Sequence, residues 1–98
     1  MSLSTIDGIA LKHWLWCEAM GWHNKTPLEY LALICSEVGE AANECRGVTP
    51  SANFGEECAD IILRTLDVMQ QYRINPSEVI EAKITKNLAK GKKPGRIK

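Results

Sequence analysis

At 98 residues, 45% of them hydrophobic, the chain has the length of one small domain whose own core is marginal, so self-association is expected to complete it. Its 12 basic and 12 acidic residues cancel, which argues against a general nucleic-acid binder. No apolar run approaches the ~20 residues that cross a bilayer and no leader-like segment opens the chain, so a cytoplasmic protein with no membrane partner is expected.

Helix starts recur along the chain. Ser4 stands three residues before Asp7, Thr26 before Glu29, Asn53 before Glu56 and Asn75 before Glu78, with Pro27 and Pro76 at first-turn positions. Each pair matches a capping side chain followed by an acid that can reach back to it. Helices are therefore predicted over 4–20, 27–46, 54–72 and 76–90, with Gly21, Gly47 and Gly91 as stops. No segment alternates with period two beside a hairpin signal, so the fold class is all-α, a four-helix protomer. Residues 1–90 form the single domain, and 91–98 read as a basic, mobile tail.

The first helix ends in "HWLWCEAMGWH", which brings His13, Trp14, Trp16 and Trp22 close together in sequence. In the second, a turn of about 100° per residue puts Leu31, Ile34, Cys35, Val38, Ala42 and Cys45 on one stripe. Glu37, Glu40 and Glu44 lie roughly opposite. The third helix is apolar around most of its circumference, so it belongs in the middle of the bundle or in a subunit interface. Its narrow polar strip carries Glu57, Asp60, Arg64 and Asp67. Cys17, Cys35, Cys45 and Cys58 form no C-x-x-C pair and read as small buried hydrophobes in a reducing compartment.

Charge is separated along the chain. Between Glu37 and Asp67 there are seven acids and two bases, whereas from Lys83 onward there are seven bases and no acid. Glu37 with Glu40, and Glu57 with Asp60, each sit one helical turn apart. Two such pairs on packed antiparallel helices make a hard-oxygen cage suited to Mg²⁺ or Mn²⁺. An ordinary solvated acidic face has the same spacing, so the residues alone leave both readings open.

The order E-x-x-E ("EVGE"), sixteen intervening residues and E-x-x-D ("ECAD") resembles the signature of the MazG-like all-α nucleoside triphosphate pyrophosphohydrolases. "LALICSEVGEAANECRG" and "FGEECADIILRTLDV" look like that family's two core helices, and "KITKN" supplies Lys83 and Asn87 four residues apart. The resemblance implies a bundle completed by oligomerisation into a homodimer or homotetramer. Glu37, Glu40, Glu57 and Asp60 would be the catalytic, metal-binding acids and Mg²⁺ the cofactor, with Mn²⁺ as a substitute. Lys83 and Asn87, with Lys86, would face the substrate's phosphates. His13 and Trp22, with Trp14 in reserve, would line the base pocket. The implied reaction converts a deoxy- or modified nucleoside triphosphate to monophosphate and pyrophosphate. A phosphoribosyl-ATP pyrophosphohydrolase and a non-catalytic helical interaction module are the alternatives. The tail "KKPGRIK" lacks the histidine that many relatives carry there, and Glu44 has no assigned role.

Overall fold

A computed structural model of the chain describes residues 5–91. Those residues form four α-helices and no strand: α1 (Ile6–Ala19), α2 (Pro27–Asn43), α3 (Phe54–Gln71) and α4 (Pro76–Lys90). Ser4 and the tail beyond Gly91 lie outside the described residues. No helix among those described is long and apolar enough to cross a membrane.

Local chemistry accounts for the helix boundaries. The Thr5 hydroxyl accepts the Gly8 N–H (3.0 Å) and caps α1. At its other end, Gly21 takes a left-handed φ of 74°, and its N–H and that of Trp22 return to the carbonyls of Glu18 and Cys17. This double closure satisfies two carbonyls of the last turn, and only a residue free to adopt positive φ makes it without strain. α2 opens with a complete capping box: the Thr26 hydroxyl accepts from Glu29 N–H, and the Glu29 carboxylate accepts from Thr26 N–H.

Asn53 and Gly47 do not act as their residue types suggest. Asn53 makes no side-chain cap; Ser51 takes over, its carbonyl accepting the Phe54 N–H and its hydroxyl the Asn53 N–H. α2 stops before Gly47, because Glu44 turns inward to the connection: its carbonyl accepts Ser51 N–H (2.8 Å) and its carboxylate accepts the Ser51 hydroxyl. Glu44 thus closes the loop between the two acid-bearing helices. α3 ends without glycine, on Arg73 at φ 60°, where the same double return of N–H groups offsets a left-handed conformation costing roughly 1 kcal/mol.

Asp7 does not close a box on its own helix. Its carboxylate accepts the backbone N–H (2.9 Å) and hydroxyl (2.6 Å) of Ser77, tying the start of α1 to the first turn of α4. Those two bonds hold the Asp7 carboxyl below the usual carboxylate range.

α3 is the central helix, packed against α1, α2 and α4. Ala10, Cys17, Tyr30, Ala41 and Leu66 form the buried core, joined by one charged residue, Asp67. His23 answers that charge, with Nε2 at 2.9 Å from Asp67 Oδ1 and Nδ1 at 2.6 Å from Glu18. Burial of the ring disfavours its charged form, but the hydrogen bonds and charges of the two carboxylates outweigh burial and raise the His23 pKa.

The four helices leave much apolar surface uncovered. On α2, the buried side carries Tyr30 and Ala41, with Glu37 half-buried between them; the apolar stripe points elsewhere, leaving Leu31 51% and Val38 49% exposed. Cys35 and Cys45 lie on that stripe and are exposed, unlike buried Cys17 and half-buried Cys58; all four thiols are free. Residues 78–90 of α4 are exposed throughout, including Ile84 and Leu88.

Candidate functional site

Because α2 turns Tyr30 and Ala41 toward α3, it turns Glu37 the same way, at roughly the same angle around the helix. The Glu37 side chain is only 12% exposed. α3 answers with Glu57 and Asp60, both half-buried, and Glu40 stands at the exposed rim. One carboxylate oxygen from each of Glu37, Glu40 and Glu57 lies within 4.8 Å of the other two. Acids distant in sequence are thereby gathered at one point.

This crowding has an electrostatic signature. Loss of solvent around Glu57 raises its pKa above the ordinary value of 4.5, and the charges of Glu40, Asp60, Glu37 and Glu44 push it further in the same direction. Asp60 is outside the three-oxygen cluster yet acts on Glu57, so all four acids share one field. Among the described residues, Arg64 is the cation that touches them, its Nε lying 3.4 Å from Glu37 Oε1. Arg64 is a site residue that sequence reading placed on the polar strip without a role. Its position one turn beyond Asp60 was the available signal.

Three hard oxygens from two helices match the donor chemistry of Mg²⁺ or Mn²⁺, which take carboxylates together with water. The buildup of like charge fits the same conclusion, since half-buried carboxylates are tolerable when a cation offsets them.

A second feature lies between α1 and α3. Ile9, Lys12, His13, Trp16 and Leu63 line a cleft of about 390 Å³ with apolar walls. His13 and Trp16 hold their rings 5.9 Å apart, and Trp22 packs edge-on against Trp16 at 4.8 Å. His13 therefore lines the cleft directly and Trp22 supports its wall, while Trp16 is a wall residue that the sequence reading left unassigned. Trp14 is engaged elsewhere: its Nε1–H donates to Gln71 (2.8 Å) and its ring stacks on His23.

The structure does not bring the basic candidates to the acids. Lys83, Lys86 and Asn87 lie on the exposed length of α4, where their side chains make no hydrogen bond or ion pair among the described residues. Compared with known proteins, the chain matches no family model, no curated protein and no solved structure.

Proposed function

We propose that the protein is a Mg²⁺-dependent nucleoside triphosphate pyrophosphohydrolase of the MazG-like all-α type, working as a homodimer or homotetramer and removing deoxy- or modified nucleotides from the pool. The observation that carries this reading is the convergence of Glu37, Glu40 and Glu57 on one point, with Asp60 in the same field. A scaffold gains nothing from placing like charges between two packed helices.

In this reading the four acids hold the metal, and Arg64 fixes the orientation of Glu37. Mg²⁺ bound there supplies charge neutralisation at phosphoryl oxygens and lowers the pKa of a coordinated water. The cleft beside His13 and Trp16 receives the base, whose flat face suits aromatic walls. Water oxygen bonds to the α-phosphorus as one of the four carboxylates takes its proton, the bond to the bridging α–β oxygen breaks, and pyrophosphate leaves. Its charge calls for cations, which Lys83 and Lys86 supply with Asn87 as a hydrogen-bond donor.

Oligomerisation is part of the proposal. The uncovered stripe of α2 and the exposed Ile84 and Leu88 of α4 are apolar, and such surfaces mark association faces. Docking α4 against a second copy buries Ile84 and Leu88 and brings its lysines to an acid cluster.

The test is to incubate the protein with Mg²⁺ and a panel of ribo-, deoxy- and modified nucleoside triphosphates together with phosphoribosyl-ATP. Monophosphate and pyrophosphate are expected from at least one nucleoside triphosphate. No turnover of any member by correctly folded protein rejects the reading, and turnover of phosphoribosyl-ATP alone reassigns the substrate.

A further inference from the structure

The interior of a small helical chain has little room for polar groups, yet Cys17, His23 and Asp67 meet inside this one. They come from three separate pieces of chain: α1, the connection between α1 and α2, and the C-terminal half of α3. Cys17 is 5% exposed, Asp67 8%, and the His23 side chain 4%. One sulfur, one ring nitrogen and one carboxylate oxygen all lie within 4.8 Å of one another. This cluster is chemically unlike the acid cluster between α2 and α3 and shares no residue with it.

We propose that Cys17 Sγ, His23 Nε2 and a carboxylate oxygen of Asp67 form a site for a divalent transition metal of the Zn²⁺ class. A mixed sulfur, nitrogen and oxygen donor set favours zinc and its neighbours and disfavours Mg²⁺, which takes oxygen ligands. Zinc ligand bonds of about 2.0–2.3 Å in tetrahedral geometry put neighbouring donor atoms roughly 3.3–3.5 Å apart. The three atoms already lie within 4.8 Å of one another, so binding closes them by about an ångström. Three protein ligands leave the fourth position to water.

Glu18 provides the supporting contact that such sites use. Its carboxylate lies 2.6 Å from His23 Nδ1, so Nδ1 keeps its proton, donates to Glu18 and leaves Nε2 to face the metal. The Nε2 to Asp67 contact of 2.9 Å marks the place where a proton now stands between the two ligands. Metal binding replaces that proton and also releases the Cys17 thiol proton. The stacked ring of Trp14 restrains the imidazole plane. Cys17 Sγ also lies 3.5 Å from His13 Nε2, so the site adjoins the aromatic cleft and would stiffen its wall. The inference stands independently of the catalytic proposal, because none of these three residues is assigned to catalysis.

The probe is Co²⁺, added to the purified, reduced full chain and followed by optical spectroscopy. One equivalent is expected to produce a thiolate-to-cobalt charge-transfer band and the visible bands of tetrahedral cobalt, displaced by Zn²⁺ and not by excess Mg²⁺. The band should disappear in Cys17→Ser and persist in a triple variant carrying Cys35→Ser, Cys45→Ser and Cys58→Ser. In Asp67→Asn, Co²⁺ should bind at least ~10-fold more weakly. Absence of a thiolate band in the wild type, or its survival in Cys17→Ser, overturns the site. Should Cys17→Ser fail to fold by circular dichroism, the triple variant decides: a retained band supports the site and a lost band rejects it.

Discussion

Arg64 Nε stands 3.4 Å from Glu37 Oε1, linking α3 to α2 at the edge of the acid cluster. Arg64 is 44% exposed, so the pair is partly screened by solvent and contributes little to stability. Its consequence is geometric, because the contact holds the orientation of a carboxylate proposed to bind metal. Arg64→Met should lower kcat/KM about fivefold, the equivalent of ~1 kcal/mol, without loss of helicity. Steady-state kinetics beside circular dichroism checks this; unchanged kinetics would remove Arg64 from the site.

Glu57 links the cluster to pH. Its pKa in the folded protein is raised above the ordinary 4.5, so the folded state holds a proton that the unfolded state has already lost. Without metal, the protein therefore loses stability as pH rises from the ordinary glutamate value through the folded one, and it does not regain that stability at higher pH. A bound cation reverses the penalty. In chelator, the Glu57 contribution to thermal stability should fall as pH rises above the ordinary glutamate value, and saturating Mg²⁺ should raise Tm by on the order of 10 °C at neutral pH and less in acid. Glu57→Gln should flatten this Glu57-dependent fall and most of the Mg²⁺ response. Melts of Glu57→Gln that still respond fully to Mg²⁺ would place the metal elsewhere.

The α2 stripe makes a prediction about assembly. Leu28, Leu31 and Val38 are 77%, 51% and 49% exposed in the protomer, so a charge placed there costs the isolated chain little. Leu31→Glu and Val38→Glu should each convert the oligomer to monomer in light scattering with helicity retained, and reduce turnover with it. A wild-type chain that is monomeric at assay concentration, or variants that still assemble, would exclude this face as the contact.

The four helices were legible because their signals are local. Thr26 with Glu29 and the glycine at 21 do in the structure what their residue types suggest, as does Asn75, whose side chain accepts the Glu78 N–H. What depended on tertiary contact was not legible. Asn53 has the right side chain for a cap, but Ser51 is held by Glu44 in the position that serves the turn. Asp7 reads as a local capping acid and instead bonds Ser77 seventy residues away. Most instructive is α2: periodicity reveals a stripe and an opposing acidic face, but not which of them meets α3. The structure turns Glu37 inward and leaves Val38 outward. Three of the four acids meet at one point, whereas Lys83 and Asn87 lie on the exposed length of α4. The cluster of Cys17, His23 and Asp67 left no motif, because its members come from three elements with unrelated spacing.

The central claim is that Glu37, Glu40, Glu57 and Asp60 act as one metal site for pyrophosphate release. Its most direct test is Mg²⁺-dependent turnover of the best substrate by wild type, Glu40→Gln and Asp60→Asn, with products resolved and folding checked by circular dichroism. Monophosphate and pyrophosphate are expected from the wild type, with a loss of at least ~100-fold in each folded variant, consistent with removal of a group that stabilises transition-state charge. Wild-type rates in both variants, or release of orthophosphate in place of pyrophosphate, would contradict it.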